Sequence, residues 1–396
     1  MSFLKIKSEV DIAPYYESSE LESFIISYGS RKWKAITPFD KIIEILTVGL
    51  NENEYYNIIK NKRIEVTQEK AIEFINFLKS EGLLEGFENK KEKKGKPMWF
   101  KKDIISPAMI ERANILRILF DKRLFSILSV LMLIWLLWFI ITTPVISIAN
   151  ELVNLNLQTI IEVYLLSVFV TVFHELGHAL ALRYYGGNAG SIGVGIYFIM
   201  PVAYSDVNES WRLKPRERLI VDFGGIYFQL ILSFILHIIN KWFFNQNIIH
   251  YLVIFSICTI LGNFIPALKF DGYWMMCDAF AVTNPWKTAK ELFIEKNKSN
   301  MSSYKKTAFL FAIIVSICTN IYMIFMMVHI FLLSLHKAYV LFINYIRNPF
   351  GEITLYAVLD YFTHNIVYII TFFAGIYFLI MFLLYFAKKN LHKKSK

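Results

Sequence analysis

The sequence predicts an α-helical polytopic membrane protein preceded by a small cytosolic α+β domain, and three observations carry that prediction. The 396 residues are 56% hydrophobic and 16% aromatic but only 19% charged, far from a soluble average. Six apolar stretches, near 124–148, 160–185, 219–240, 248–266, 308–335 and 365–387, are each long enough to cross a hydrocarbon core of about 30 Å. The first hundred residues, by contrast, are rich in charge, with no long apolar run and no signal-peptide core behind a basic start. The implied organisation is a cytosolic domain over 1–87, a basic linker and juxtamembrane amphipathic helix over 88–123, a six-span domain over 124–387 and a basic cytosolic tail over 388–396.

Within the front domain, Phe24 to Ala35 alternates around a Gly-Ser pair and reads as a β-hairpin. A short helix follows over Pro38 to Leu46 behind a Thr37 cap. Two more have helical spacing, Asn51 to Lys60 and Thr67 to Glu81, the second opened by Thr67 and closed by Gly82. Residues 88–97 (ENKKEKKGKP) form a solvated linker, and Ile105 to Phe120 is amphipathic enough to lie along the inner membrane surface.

Six crossings return both ends to one side, and the positive charge says which. Lys101, Lys102, Arg112, Arg117, Lys122 and Arg123 precede the first span, and Lys388, Lys389, Lys393, Lys394 and Lys396 follow the last. The second-to-third and fourth-to-fifth connections are basic as well, whereas the opposite loops hold only Lys241, Lys337 and Arg347. Both termini are therefore expected in the cytoplasm of a multi-pass protein in the cell membrane. The net charge of +10 follows this topology and forms no single stripe, which argues against nucleic acid as a partner. Cys258, Cys277 and Cys318 are odd in number and sit in apolar runs, which excludes a disulfide framework.

The chemistry is concentrated in the second span, where FHELGHAL places His174, Glu175 and His178 in the pattern HExxH. Residues four apart share a helix face, with Cβ atoms about 5–6 Å apart, so two imidazoles can meet one ion while Glu175 reaches its water. Such groups are costly at membrane depth, about 2.5 kcal/mol or more for a carboxylate, unless a metal and a water-filled cavity compensate. Two histidines leave a zinc site short of a ligand, and the candidate for the third is Asp271. His174 lies about 21 Å along the helix from Ile160 at 1.5 Å per residue, in the cytoplasmic half, and Asp271 lies at the inner end of the fourth span just past Pro266.

HELGH on a span, with an inward segment reading NxxPxxxxDG, resembles the site-2 protease class of intramembrane zinc metalloproteases. The resemblance covers roughly residues 160–285. It implies one Zn2+ per chain held by His174, His178 and Asp271, with Glu175 as general base. It also implies that Asn263 contacts the substrate backbone or the developing oxyanion, although an Asn that merely ties two helices fits that position too. Gly224-Gly225 matches a small-residue position of the class or simply packs helices closely. The front domain, a hairpin followed by three helices, resembles the PqqD-like, winged-helix peptide-recognition domains in its spacing and on the positions Tyr28, Thr37, Ile45 and Gly82-Leu83-Leu84. Together the two resemblances imply a bacterial peptide zinc metalloprotease that matures or exports a ribosomally made peptide, with a peptide exporter or modifying enzyme as a further partner.

Between the second and third spans, Gly186 to Tyr204 is Gly-rich and then alternating, and reads as a re-entrant hairpin whose edge could hold an extended substrate. An ordinary loop packed under the membrane domain fits equally. Asp278, two turns after Asp271, and Cys277 read as bystanders, as do His237, His250 and His329 toward the outer side. Trp242 and Tyr251 read as interface anchors. The rival functions are a non-enzymatic peptide exporter or immunity protein with a structural metal, and a regulated protease that cleaves an anti-sigma-like membrane protein.

Overall fold

The computed structural model describes residues 3–15, 23–28, 31–36, 38–61, 64, 66–87, 98–143, 155–197, 200–263, 270–280, 282, 284–294, 304–318, 332, 339 and 343. The chain divides into two compact units, one of Met1–Ile118, His178–Gly224 and Trp274–Lys306, the other of Leu119–Gly177, Gly225–Tyr273 and Thr307–Lys396. The described residues are mostly helical, with small sheets.

The first unit begins with β1 (Phe3–Leu4), β2 (Asp11–Tyr15), β3 (Ser23–Tyr28) and β4 (Arg31–Ile36). Strands β3 and β4 form the hairpin that the alternation predicts, in the register Phe24↔Ala35 and Ile26↔Trp33. Strand β2 adds a third, antiparallel strand that the sequence reading does not foresee. Helix α1 (Phe39–Leu46) is capped at Pro38 with no side-chain cap, and Thr37, the expected cap, lies outside the described residues. The first turn closes on backbone alone, with the Pro38 carbonyl accepting from Lys41 N–H at 3.1 Å. After β5 (Leu50–Asn51), which pairs with β1, come α2 (Glu52–Asn61) and α3 (Gln68–Ser80). Thr67 Oγ1 accepts from Lys70 N at 3.5 Å at the start of α3, and Gly82 (φ +70°) takes the left-handed turn that ends it. Leu4, Ile26, Ile42, Ile43, Leu46, Tyr55, Ile75, Leu78, Leu83 and Leu84 close a core with essentially no exposure to solvent.

Residues 88–97, read as a linker, lie outside the described residues, and the segment read as one amphipathic helix, Ile105 to Phe120, folds differently. Met98–Ile105 is a strand, β6, followed by a short helix, α4 (Pro107–Arg112), and a 3-10 turn (Asn114–Phe120). Pro107 at the first helical position and the break at Ala113 prevent one continuous surface helix. Strand β6 pairs with the Gly-rich hairpin, β7 (Ile192–Tyr197) and β8 (Met200–Ser205), in the order β6-β7-β8, so the chain itself occupies one edge of that hairpin. Gly193 has no room for a Cβ under the Tyr204 ring and the Lys102 carbonyl, and the Tyr204 hydroxyl donates to Asp103. Lys101, Lys102 and Asp103 are exposed on β6. Charges in that position favour an aqueous or headgroup environment for this sheet over the hydrocarbon that a re-entrant segment would enter.

Helix α5 (Lys122–Thr142), in the second unit, opens on Asp121, whose carboxylate accepts from Arg123 N (3.0 Å) and Leu124 N (3.3 Å). Its 21 residues span about 31 Å at 1.5 Å each, the thickness of a hydrocarbon core. Only 22% of its most apolar window is buried, and Ile127, Ile134 and Ile141 face outward. That surface calls for lipid, because water would not tolerate so long an apolar face. Helix α6 (Leu157–Tyr184) and helix α7 (Pro215–Ile239) with its π-turn to Phe244 are likewise long and apolar enough to cross a membrane. Helix α8 (Asn247–Asn263) is apolar but shorter. The chain is helical again over α9 (Asp271–Phe280), α10 (Pro285–Ile294) and 304–318. Three membrane-crossing candidates are thus described, while the sixth expected span and most of the fifth lie outside the described residues. Inside this unit Phe120 stacks on Phe228 at 5.5 Å, and Val170, Leu232 and Leu252 pack together.

Candidate metal centre

Helix α6 carries His174, Glu175 and His178 on consecutive turns with no break in its backbone. Both histidines are buried, at 5% and 6% exposure, and Glu175 is half-buried beside them. Each imidazole is held through Nδ1. His174 Nδ1 lies 2.9 Å from Gln229 Oε1, and His178 Nδ1 lies 2.7 Å from the Val221 carbonyl oxygen, both partners belonging to α7. Such oxygens only accept, so each Nδ1 carries a hydrogen, and in the neutral imidazole each Nε2 keeps its lone pair.

Asp271 belongs to the next described helix along the chain. Helix α8 ends at Asn263, and α9 starts at Asp271, with Pro266 among the residues 264–269 outside the described set. A carboxylate in the first turn of α9 faces the positive end of the helix dipole. Its Oδ2 lies 3.0 Å from His174 Nε2, and one ligand atom from each of His174, His178 and Asp271 falls within 4.8 Å of the others. His174 and Asp271 belong to the same unit, and His178 follows His174 by one turn of the same helix.

The donor chemistry fits a divalent metal. Two imidazole lone pairs and a carboxylate oxygen gathered within 4.8 Å repel unless a cation lies among them, and tetrahedral zinc ligands would sit about 3.4 Å apart, a separation within that limit. Three protein ligands leave a fourth position open, the arrangement of catalytic rather than structural zinc. No other His, Cys, Asp or Glu group of this kind occurs among the described residues.

The remaining sequence candidates are placed as follows. Asn263 is the last residue of α8 and half-buried, eight positions before Asp271. Asp278 accepts from Arg218 Nε at 2.6 Å, which accounts for it without a metal. Cys277 is buried. His237 packs among the rings of Trp135, Trp138 and Phe139 at 5.4–6.0 Å, and His250 lies against Tyr251. Gly224 and Gly225 are buried in α7, and His329 lies outside the described residues. Sequence reasoning missed Gln229 and the Val221 carbonyl. The signal available for the first was a single amide in the otherwise apolar run IYFQLILSF, an expensive residue at membrane depth.

No protein-family model matches the chain, and no solved structure matches it. Among curated proteins it is similar to the Bacillus subtilis (strain 168) protein named "Putative peptide zinc metalloprotease protein YydH", at 32% identity over 103 residues. That match covers 26% of this chain, and the chain spans about two fifths (41%) of the relative's length.

Proposed function

We propose that this chain is a zinc metalloprotease of the site-2 type that hydrolyses a peptide bond at the membrane, acting on a peptide precursor or membrane-associated peptide. The observation that carries the reading is the convergence of Asp271 on His174 and His178, which stand with Glu175 on the apolar, membrane-length helix α6. The name of the Bacillus relative supports a zinc metalloprotease.

A zinc ion held by His174, His178 and Asp271 would supply Lewis acidity toward a peptide carbonyl and toward water. Glu175, next to His174 and half-buried, takes the proton from the attacking water on its carboxylate and returns it to the departing amide nitrogen. Asn263 donates its amide to the substrate backbone or to the oxygen that gains charge. Strand β8, the outer strand of the β6-β7-β8 sheet, offers backbone groups to an extended peptide, the conformation in which a scissile amide is accessible. The front domain recognises the precursor, and the chain crosses a bacterial membrane six times with both ends in the cytoplasm.

The test is a co-expression assay with a candidate precursor, read by mass spectrometry, beside metal analysis of the purified protein. Glu175→Gln retains the metal and lowers cleavage by at least about a hundredfold. Cleavage at the wild-type rate by that variant refutes the mechanism.

A further inference from the structure

We infer that Gln229 is a positioning residue that selects the tautomer of His174 and so decides whether that imidazole is a metal ligand or a hydrogen-bond donor. The inference rests on the metal reading above and deepens it. Gln229 is 4% exposed, in the middle of α7. Its amide nitrogen lies 3.2 Å from the Ser256 carbonyl oxygen, 3.1 Å from Ser256 Oγ and 2.8 Å from Thr259 Oγ1, all on α8. A backbone carbonyl only accepts, so the NH2 end must face α8 and the amide cannot be turned over. Its oxygen is thereby aimed at His174 Nδ1, 2.9 Å away.

The consequence falls on the opposite side of the imidazole ring. An acceptor at Nδ1 places the single hydrogen of a neutral imidazole there and leaves Nε2 with a lone pair, 3.0 Å from Asp271 Oδ2. With the amide reversed, the hydrogen would move to Nε2 and satisfy the aspartate directly, and His174 would have nothing to offer a cation. Ser233 completes the arrangement. Its hydroxyl donates to the Gln229 backbone carbonyl at 2.7 Å and meets Ser256 Oγ at 2.7 Å, so α7 and α8 are fixed in register where the side-chain amide crosses between them. The groups on α8 that hold the amide nitrogen are all uncharged, so hydrogen bonds set its orientation.

The experiment compares zinc affinity, by chelator competition on the full chain in detergent, and the visible spectrum of the Co2+-loaded protein. Gln229→Met binds zinc about tenfold to a hundredfold more weakly and shifts the Co2+ bands, while Gln229→Glu, which keeps an oxygen at His174 Nδ1, binds within about threefold of wild type or more tightly. If Gln229→Met does not accumulate, Gln229→Glu decides alone, and a tenfold or greater loss in it overturns the assignment. Equal affinity and an unchanged spectrum in Gln229→Met overturn the role of Gln229 and leave the metal reading standing. A wild-type chain that binds neither ion overturns the metal reading, and this inference with it.

Discussion

Around Ile26 and Ile75 the N-terminal domain buries hydrocarbon almost exclusively, whereas around Gln229 the helical unit buries His174, Ser233 and Ser256 together with the amide itself. In the first region the elements are held by removal of apolar surface from water, and a shift of partners costs packing only. In the second, lipid is as apolar as the side chains, so burial of leucine discriminates little between helix arrangements. Hydrogen bonds that have one satisfactory geometry do the discriminating there. The apolar core supplies stability, and the polar one supplies a particular constellation of atoms.

The largest test of this contrast removes a ligand. Asp271→Ala should abolish stoichiometric zinc in the purified protein while its helical circular dichroism is unchanged, because the polar cluster specifies the site and not the fold. Metal retained at wild-type affinity would break the distinction. The next test uses the exception inside the first unit, the buried ion pair of Arg218 (4% exposed) with Asp278. Arg218 also donates to the Leu213 carbonyl at 3.1 Å and lies over the Tyr15 ring at 5.0 Å. Arg218→Ala leaves a buried carboxylate uncompensated and should cost about 3–5 kcal/mol in unfolding experiments. The smallest effect is expected at Tyr55, whose hydroxyl is buried without a hydrogen-bond partner among the described residues. Burial holds that phenol well above its ordinary pKa. Tyr55→Phe should raise stability by about 1 kcal/mol, seen as slower amide exchange over residues 39–84, and a loss instead would reveal a polar contact in the apolar core.

The parts legible in the sequence are those whose chemistry is bound to a local period. His174, Glu175 and His178 are readable because four residues make one helical turn, and the strands around Gly29-Ser30 because alternation matches the pleat. Asp271 is readable as a candidate because Pro266 ends a helical run and an Asp-Gly follows it. Gln229 was not singled out, since an amide in a span looks the same whether it ties two helices or orients a ligand. Strand β6 was hidden for two reasons. Its partner lies some ninety residues away, and the adjacent Lys101 and Lys102 interrupt the alternation that would have marked it.

Strand β6 also sets a practical limit on how the molecule can be dissected. Residues 98–105 come before the first long apolar helix, yet they complete the sheet begun by 192–205. A shortened protein starting at residue 98 would keep that sheet whole, whereas one starting at Pro107 would strip the Ile192–Tyr197 backbone of its neighbour and invite foreign chains to the vacated edge. Loss of activity in the longer deletion would therefore say nothing about peptide recognition by the front domain.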